Sequence, residues 1–189
     1  MSLVMTFAMQ DFVVMSGDYR RTRVVDEGEY YDDTPKVFQI SPQVLCGFTG
    51  DVDVTTLLRK ELEGINPKAT IEAVARKVRK AVSGLQDAYQ VITIAGKSDA
   101  GKMAIIQVSH RNDFRIEKVR LEKGQLEWRF CIAYEDPTEF VRERVMQLTE
   151  FNAESISQLA KEASEKISES DALVSKECDV LSITVETRS

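Results

Sequence analysis

The segment Phe12–Thr22, FVVMSGDYRRT, decides the fold, because its apolar run ends abruptly in Gly-Asp and is followed by two arginines. The Val- and Met-rich part predicts a buried strand over Asp11–Gly17. Such a strand delivers a carboxylate, Asp18, and a guanidinium, Arg20, to one place. This arrangement is typical either of a structural ion pair or of the floor of an active site, and the rest of the chain has to decide between them.

Composition limits the class of protein. With 189 residues and 43% hydrophobic content, the chain is predicted to form a single domain, 1–189, with a sizeable core. The 31 acidic residues exceed the 25 basic ones, which argues against a nucleic-acid partner. No apolar run approaches a membrane span and no secretory signal is recognised, so we expect no membrane partner. Widely spaced cysteines in apolar surroundings are typical of reduced, buried thiols in a cytoplasmic protein; they are Cys46, Cys131 and Cys178.

Strands and helices alternate in blocks along the chain. The strands are predicted over Leu3–Met9, Asp11–Gly17, Lys36–Ile40, Val44–Phe48, a meander of Gln90–Gly96, Lys102–His110, Phe114–Leu121 and Gln125–Ala133, and a last strand Val180–Val185. Helices are predicted from Gly50-Asp51 to Gly64, from Asn66-Pro67, from Asp136-Pro137 and from Asn152. The polar segment 23–35 is expected to be a loop. This order predicts an α+β fold, a four-layer αββα sandwich with helices on both outer faces.

The order and spacing of these motifs are similar to those of one known family. The chain resembles the β-type subunits of the proteasome and the bacterial two-component ATP-dependent peptidase, members of the N-terminal-nucleophile hydrolase superfamily. In that family the first hairpin ends in Asp-x-Arg followed shortly by Thr, as Asp18, Arg20 and Thr22 do here. A strand then opens with Lys-Val, matched by Lys36-Val37, and an apolar strand ends in glycine before a helix, matched by Gly50.

The resemblance implies a nucleophile at the second residue of this chain. Counting back from Asp18 along the match leads to Ser2. Removal of Met1 would leave Ser2 with a free α-amine beside its hydroxyl, so that one residue supplies both base and nucleophile. An α-amine has a pKa of about 7.7–8.0, which suits proton transfer near neutral pH.

The same resemblance assigns roles to the other matched residues. Lys36 would lie beside the nucleophile, Asp18 would hold Lys36 in place, and Arg20 would support them. The Gly50 backbone N–H would bind the developing oxyanion. Asp171 is matched to a late aspartate of the family, after the last long helix, as a supporting residue of the site.

Two positions depart from the family pattern. The family carries a Gly-Ser-Gly-like segment after its meander, whereas this chain has Tyr134 or Glu135 where that serine would stand. Three residues beyond Asp171, where a second serine is expected, the chain has Val174. These departures keep open a non-catalytic scaffold or assembly subunit of the same fold.

Simpler roles compete with the catalytic ones. Ser2 could be an exposed terminal residue, Asp18 and Arg20 a solvated ion pair, and Lys36 an exposed lysine at a strand start. Gly50 is also explained by strand-to-helix geometry alone. The one histidine, His110, is expected at a surface turn and offers no triad or zinc site.

The function favoured at this point is amide-bond hydrolysis, with the scaffold subunit as alternative. The substrate would be a peptide or a small amide, and no cofactor or metal is expected. The family resemblance implies a homo-oligomer, a ring or dimer, and a possible ATPase unfoldase as partner.

Overall fold

The computed structural model describes residues 3–22, 29–85, 89–132 and 134–185, which form a mixed α/β fold. Its strands are β1 (Val4–Ala8), β2 (Phe12–Asp18), β3 (Arg20–Thr22), β4 (Tyr30–Asp32), β5 (Val37–Ser41), β6 (Val44–Gly50), β7 (Gln90–Lys97), β8 (Met103–Ser109), β9 (Ile116–Val119), β10 (Glu127–Cys131) and β11 (Cys178–Thr184). Its helices are α1 (Val52–Leu62), α2 (Ile71–Val82), α3 (Thr138–Gln147) and α4 (Ala153–Ser168). None of these helices is long and apolar enough to cross a membrane.

Two antiparallel sheets carry the fold. One has the strand order β10-β1-β2-β11 and the other the order β5-β6-β7-β8-β9, while β3 and β4 form a separate hairpin. The β1–β2 hairpin has the tight connection predicted from the sequence, with Val4 opposite Gly17. The starts of β1 and β11 therefore lie at the same end of their sheet as the end of β2.

Strand β2 is buried on both faces, which explains its continuous apolar run. Successive side chains of a strand point to opposite faces. Val13 and Met15 pack against Leu45 and Ile105 of the second sheet. Val14 belongs instead to a cluster with residues of α3 and α4, such as Leu159.

A third apolar cluster covers the other face of the second sheet. Leu58 of α1 and Val74 and Val78 of α2 pack with Ile92 and Ile106. The stripe of apolar residues predicted for α2 is thus its buried face, with Ile71, Val74, Val78 and Val82 inaccessible to solvent.

The predicted four-strand meander is wrong in its last strand. Strands β7, β8 and β9 are neighbours, but β10 crosses to the first sheet and pairs with β1, Val4 lying opposite Cys131. Alternation of apolar residues predicts a strand without naming its partner, so the crossing is invisible in the local pattern. The predicted end of this strand, Ala133, lies outside the described residues.

Two boundaries also differ from the sequence prediction. Helix α2 begins at Ile71 rather than at Pro67, because the Asn66 side chain accepts a hydrogen bond from Lys68 N and closes a turn of its own. Strand β11 begins at Cys178, before the predicted Val180. Of the three cysteines, all unpaired, Cys46 is buried and the other two are half-buried.

The polar segment expected to be a loop contains half of a hairpin. Residues 23–28 lie outside the described residues. After them in the sequence comes β4, which pairs with β3 as an antiparallel strand. Arg20 binds Asp32 and Arg21 binds Asp33, each through two hydrogen bonds. The signal that could have been used is the β-propensity of Tyr30-Tyr31.

The Arg21–Asp33 pair predicts a low titration midpoint. Hydrogen bonding to Arg21 lowers the pKa of Asp33 from 3.8 to about 2. Because the pKa of Asp33 is lower in the folded than in the unfolded state, the contribution of this pair to folding stability is fully present above about pH 4. It is lost as the pH falls through about 2. NMR titration of the Asp33 carboxyl should show this midpoint, and Arg21→Gln should raise it toward the ordinary range, with the Thr34 hydrogen bond still lowering it. An unchanged midpoint in that variant would exclude the pair as its cause.

Candidate active site

Asp18, at the end of β2, is the centre of a buried polar group. Its Oδ1 accepts a hydrogen bond of 2.9 Å from Leu3 N, and its Oδ2 accepts bonds of 2.8 Å from Arg20 N and 3.4 Å from Ser175 N. Burial raises the pKa of Asp18, and the Lys36 charge and these N–H groups oppose that shift. The carboxylate thus binds the start of β1, the chain after β2 and the segment before β11.

Lys36 is the charged partner of Asp18. Its Nζ lies 3.6 Å from Asp18 Oδ1 and donates a hydrogen bond of 2.6 Å to Arg20 O. The residue is only 5% exposed, so the reading of an exposed lysine is wrong. Burial lowers the pKa of Lys36, and Asp18 opposes the shift.

Arg20 supports this group without pairing with Asp18 through its side chain. The guanidinium binds Asp32 at 2.7 Å and donates to Ala172 O at 2.9 Å. The simpler alternative, a solvated ion pair between Asp18 and Arg20, is therefore wrong. Arg20 instead connects the hairpin to the turn that precedes β11.

A close approach of the two sheets brings Asp18 and Lys36 together. A Cβ added to Gly17 would lie 2.9 Å from Lys36 Cβ and 2.9 Å from Val37 Cγ1. Real Cβ atoms essentially never come this close, so the glycine before Asp18 allows β2 and β5 to pack at this point. The Gly-Asp pair in the opening segment thus has a geometric reason.

Gly50 ends β6 in a conformation that other residues avoid. Its φ is +124°, and an added Cβ would lie 1.9 Å from Tyr89 O. The next residue, Asp51, caps α1 by accepting a hydrogen bond from Asp53 N at 2.8 Å. Lys36 directly precedes β5, the neighbour of β6. Its carbonyl accepts a hydrogen bond of 2.8 Å from Phe48 N, two residues before Gly50.

This geometry predicts that Gly50→Ala is strongly destabilising. The new methyl group would meet the Tyr89 carbonyl, and the backbone would be strained as well. We expect a loss of about 3 kcal/mol or more in the free energy of unfolding, measured by urea denaturation. Gly64→Ala is the matched control, because Gly64 also has a positive φ but no atom within 4 Å of an added Cβ. Equal losses in the two variants would contradict the clash.

Asp171 binds the backbone of Tyr134 and Glu135, the residues that follow β10. Its Oδ2 accepts hydrogen bonds from Tyr134 N at 3.0 Å and Glu135 N at 3.3 Å, and its Oδ1 accepts one from Leu173 N at 2.9 Å. The hydrogen bonds of Asp171 therefore go to loop backbone and not to Asp18 or Lys36. Its position links the loop after β10 to the turn before β11.

Ser175 is a buried member of the site that sequence reasoning missed. Its Oγ accepts a bond of 2.8 Å from Tyr19 N and donates one of 2.8 Å to Glu177 O, while its N–H points to Asp18. The serine was expected three residues beyond Asp171, where Val174 stands, and it follows at the next position. Allowing an offset of one residue in that turn would have found it.

Comparisons with known proteins show which fold the chain has. No family model matches the chain, and no curated protein matches it by sequence. Its structure is similar to the crystal structure of eukaryotic HslV from Trypanosoma brucei, with a TM-score of 0.66 over 97% of this chain and 99% of that chain. The chain has the HslV fold. HslV is a proteasome-like N-terminal-nucleophile hydrolase, so the predicted resemblance is confirmed.

The likeness to HslV concerns the fold, because the two sequences are only 16% identical. The predicted nucleophile, Ser2, and Met1 before it lie outside the described residues. Leu3, the first described residue, forms two hydrogen bonds with Asp18. Leu3 N donates to the Asp18 carboxylate, and Leu3 O accepts a bond of 3.1 Å from Asp18 N. Within the described part of the chain, no group of His, Cys, Asp and Glu side chains could hold a metal ion.

His110 is not the exposed turn residue that was expected. It is half-buried, its Nδ1 lies 3.0 Å from Gln90 O, and its ring packs against that of Tyr89. Among the described residues, no carboxylate or nucleophile forms a hydrogen bond or an ion pair with His110.

Proposed function

We propose that the chain is an amide-bond hydrolase acting on peptides, with Ser2 as nucleophile after removal of Met1. The observation that carries this proposal is the buried Asp18 carboxylate, which binds both the Lys36 ammonium and the N–H of Leu3. Leu3 N is the atom to which residue 2 is covalently attached. A buried lysine paired with the carboxylate that binds the N–H after the proposed nucleophile supplies a positive charge there, which supports the proposal.

The proposed reaction uses one residue as both base and nucleophile. The Ser2 α-amine accepts the hydroxyl proton as the oxygen attacks the scissile carbonyl carbon. The Gly50 N–H stabilises the oxyanion, and the Lys36 ammonium stabilises charge on the attacking oxygen. The amine then gives its proton to the leaving nitrogen, and water hydrolyses the resulting ester with the same amine as base.

Asp18 and Arg20 act on Lys36 in this scheme. Burial lowers the pKa of Lys36, and the opposite charge of Asp18 counteracts that shift and so favours the ammonium form. Arg20 offers its carbonyl to Lys36 Nζ and is itself held by Asp32. Asp171 and Ser175 fix the two backbone segments on the other side of Asp18, which limits how far the site can relax.

The wider organisation is part of the same proposal. The three apolar clusters support a four-layer αββα sandwich formed by one domain, 1–189. By likeness to HslV we propose a homo-oligomeric ring, with an ATPase unfoldase as possible partner, in the cytoplasm. Such a ring would enclose the substrate.

A second candidate is a non-catalytic subunit of the same fold. Two features favour it: by resemblance Tyr134 or Glu135 stands where the serine of the Gly-Ser-Gly segment is expected, and Tyr134 is 72% exposed. Neither side chain can replace a serine hydroxyl as a small hydrogen-bonding group beside the terminal amine. This candidate predicts a stable oligomer without peptide turnover.

Peptide hydrolysis and oligomeric state, measured on one preparation, separate the two candidates. The chain is expressed from its natural start codon, and turnover of a set of fluorogenic peptides is followed while sedimentation gives the mass of the assembly. Turnover by the oligomer supports the hydrolase. An inactive oligomer that begins at Ser2 would contradict it and support the scaffold subunit, and an inactive monomer would contradict both.

A further inference from the structure

Gln90, the first residue of β7, is fully buried beside Gly50. Its Nε2 donates a hydrogen bond of 3.0 Å to Thr55 Oγ1 in α1, whereas its Oε1 is buried and has no hydrogen-bond partner among the described residues. A buried oxygen without a partner costs folding free energy, and native proteins keep few of them. An apolar side chain would fill this place at lower cost, so stability alone does not explain the glutamine.

The Gln90 side chain holds the start of α1 through Thr55. Thr55 Oγ1 accepts the bond from Gln90 and donates one of 3.0 Å to Asp51 O, which also accepts a bond of 3.0 Å from Thr55 N. Asp51 N in turn donates a bond of 3.1 Å to Tyr89 O. The peptide groups on both sides of the Asp51 Cα are therefore fixed, and hydrogen bonds connected in such a chain strengthen one another.

These contacts also set the direction of the Gly50 N–H. Along a strand, N–H groups alternate between the two neighbouring strands. Phe48 N donates to Lys36 O, on the β5 side of β6, and Asp51 N donates to Tyr89 O, on the β7 side. The N–H of Gly50, two residues after Phe48, is thus directed to the side of β6 on which Lys36 lies.

The Gln90 amide packs directly against Gly50. The two residues lie opposite each other in the β6–β7 pair, and Gln90 Oε1 is 2.7 Å from the position that an added Gly50 Cβ would take. Gln90 therefore touches Gly50 itself and, through Thr55, the residue that follows it.

We propose that Gln90 is a positioning residue, whose hydrogen bond to Thr55 holds the start of α1 and with it the Gly50 N–H in the direction that binds the oxyanion. The inference rests on the proposed hydrolase function, in which that N–H stabilises the oxyanion. Gln90 is inaccessible to solvent, so it acts through Gly50 and not on the substrate. A displacement of about 1 Å in the reacting geometry can lower a rate about a hundredfold.

Gln90→Met tests the inference, because it removes the amide and keeps the length of the side chain. We expect kcat for a fluorogenic peptide to fall at least about tenfold while KM stays within about twofold, since the oxyanion forms only in the reaction. The urea midpoint of unfolding should not fall: the unpaired oxygen is lost, and Thr55 Oγ1 still binds Asp51 O. Gln158→Met is the matched control, at an exposed glutamine of α4 whose Nε2 donates to Glu162, and should leave kcat unchanged.

Thr55→Val interrupts the same chain of hydrogen bonds at its second member. It should lower kcat as Gln90→Met does, and the double variant should be no slower than the slower single variant, because both changes remove one connected group. Losses that multiply in the double variant would overturn the connection through Thr55.

Hydrogen exchange of the parent and the variants provides a measurement that does not depend on activity. In Gln90→Met, backbone N–H groups of the segment 50–55 should exchange at least about tenfold faster than in the parent, with no such change in Gln158→Met.

The outcomes separate this inference from the proposed function. Unchanged kcat in Gln90→Met of an active chain, or unchanged exchange at the start of α1, would overturn the inference and leave the hydrolase standing. A lower unfolding midpoint with kcat and KM both changed would make Gln90 a structural residue and also overturn it. An inactive parent protein would contradict the proposed function itself, and this inference with it.

Discussion

Ser2→Ala is expected to lower kcat for peptide hydrolysis by at least about a thousandfold, because it removes the atom that attacks the carbonyl carbon. The α-amine of residue 2 remains in this variant, so any residual rate reports the oxyanion donor and substrate binding alone. Initial rates with a fluorogenic peptide, together with the mass of the assembly, measure the effect. The assembly and the unfolding midpoint should not change.

Two further variants make the Ser2 result specific. Ser2→Thr keeps a hydroxyl beside the amine and is expected to retain turnover. Ser83→Ala removes an exposed serine after α2, whose hydroxyl donates a hydrogen bond to Lys80 O, and should leave the rate unchanged. A Ser2→Ala protein with more than about a tenth of the parent rate would exclude Ser2 as nucleophile.

Lys36→Met is expected to have the second-largest effect, on both activity and stability. The substitution leaves the fully buried Asp18 carboxylate without its cation, and breaking a buried ion pair usually costs about 3–5 kcal/mol. The loss of positive charge beside the attacking oxygen should lower kcat by about a hundredfold or more. Urea denaturation and peptide turnover measure the two effects, and Lys123→Met, at an exposed lysine, is the control for charge alone.

The pH dependence of the Lys36→Met defect identifies its cause. Burial already raises the pKa of Asp18, and loss of the Lys36 charge should raise it further. A carboxyl whose folded pKa lies above its unfolded pKa of about 3.9 destabilises most when it is ionised in both states. The stability deficit should therefore be largest at neutral pH and should shrink as the pH falls toward about 4. A deficit that does not change with pH would point to packing rather than to the unpaired carboxylate.

Local sequence patterns predict a strand or a helix where its buried side chains follow one another in a regular apolar pattern. The apolar run of β2 and the stripe of α2 could be identified because each strand or helix presents its own period. The crossing of β10 and the pairing of β4 with β3 could not, since the partner of a strand is decided by contacts far along the chain. The Asn66-Pro67 pair predicts a helix start but forms a turn, because asparagine and proline favour both structures.

The candidate site depends even more on distant contacts. Family resemblance predicts roles for Asp18 and Lys36. Nothing in either local segment indicates that Lys36 Nζ lies 3.6 Å from Asp18 Oδ1. Gly17 explains their approach only once the facing strand is known. Ser175 is identified only by its hydrogen bonds to Tyr19, Glu177 and Asp18, which join segments far apart in the chain and leave no mark in the local sequence.

The measurement that tests the central claim most directly is the intact mass of the chain expressed from its natural start codon, combined with N-terminal sequencing. The proposed mechanism predicts a chain without Met1 that begins with a free α-amine at Ser2. A chain that retains Met1 in an assembly that hydrolyses peptides would contradict the mechanism, because Ser2 would then have no amine to act as base.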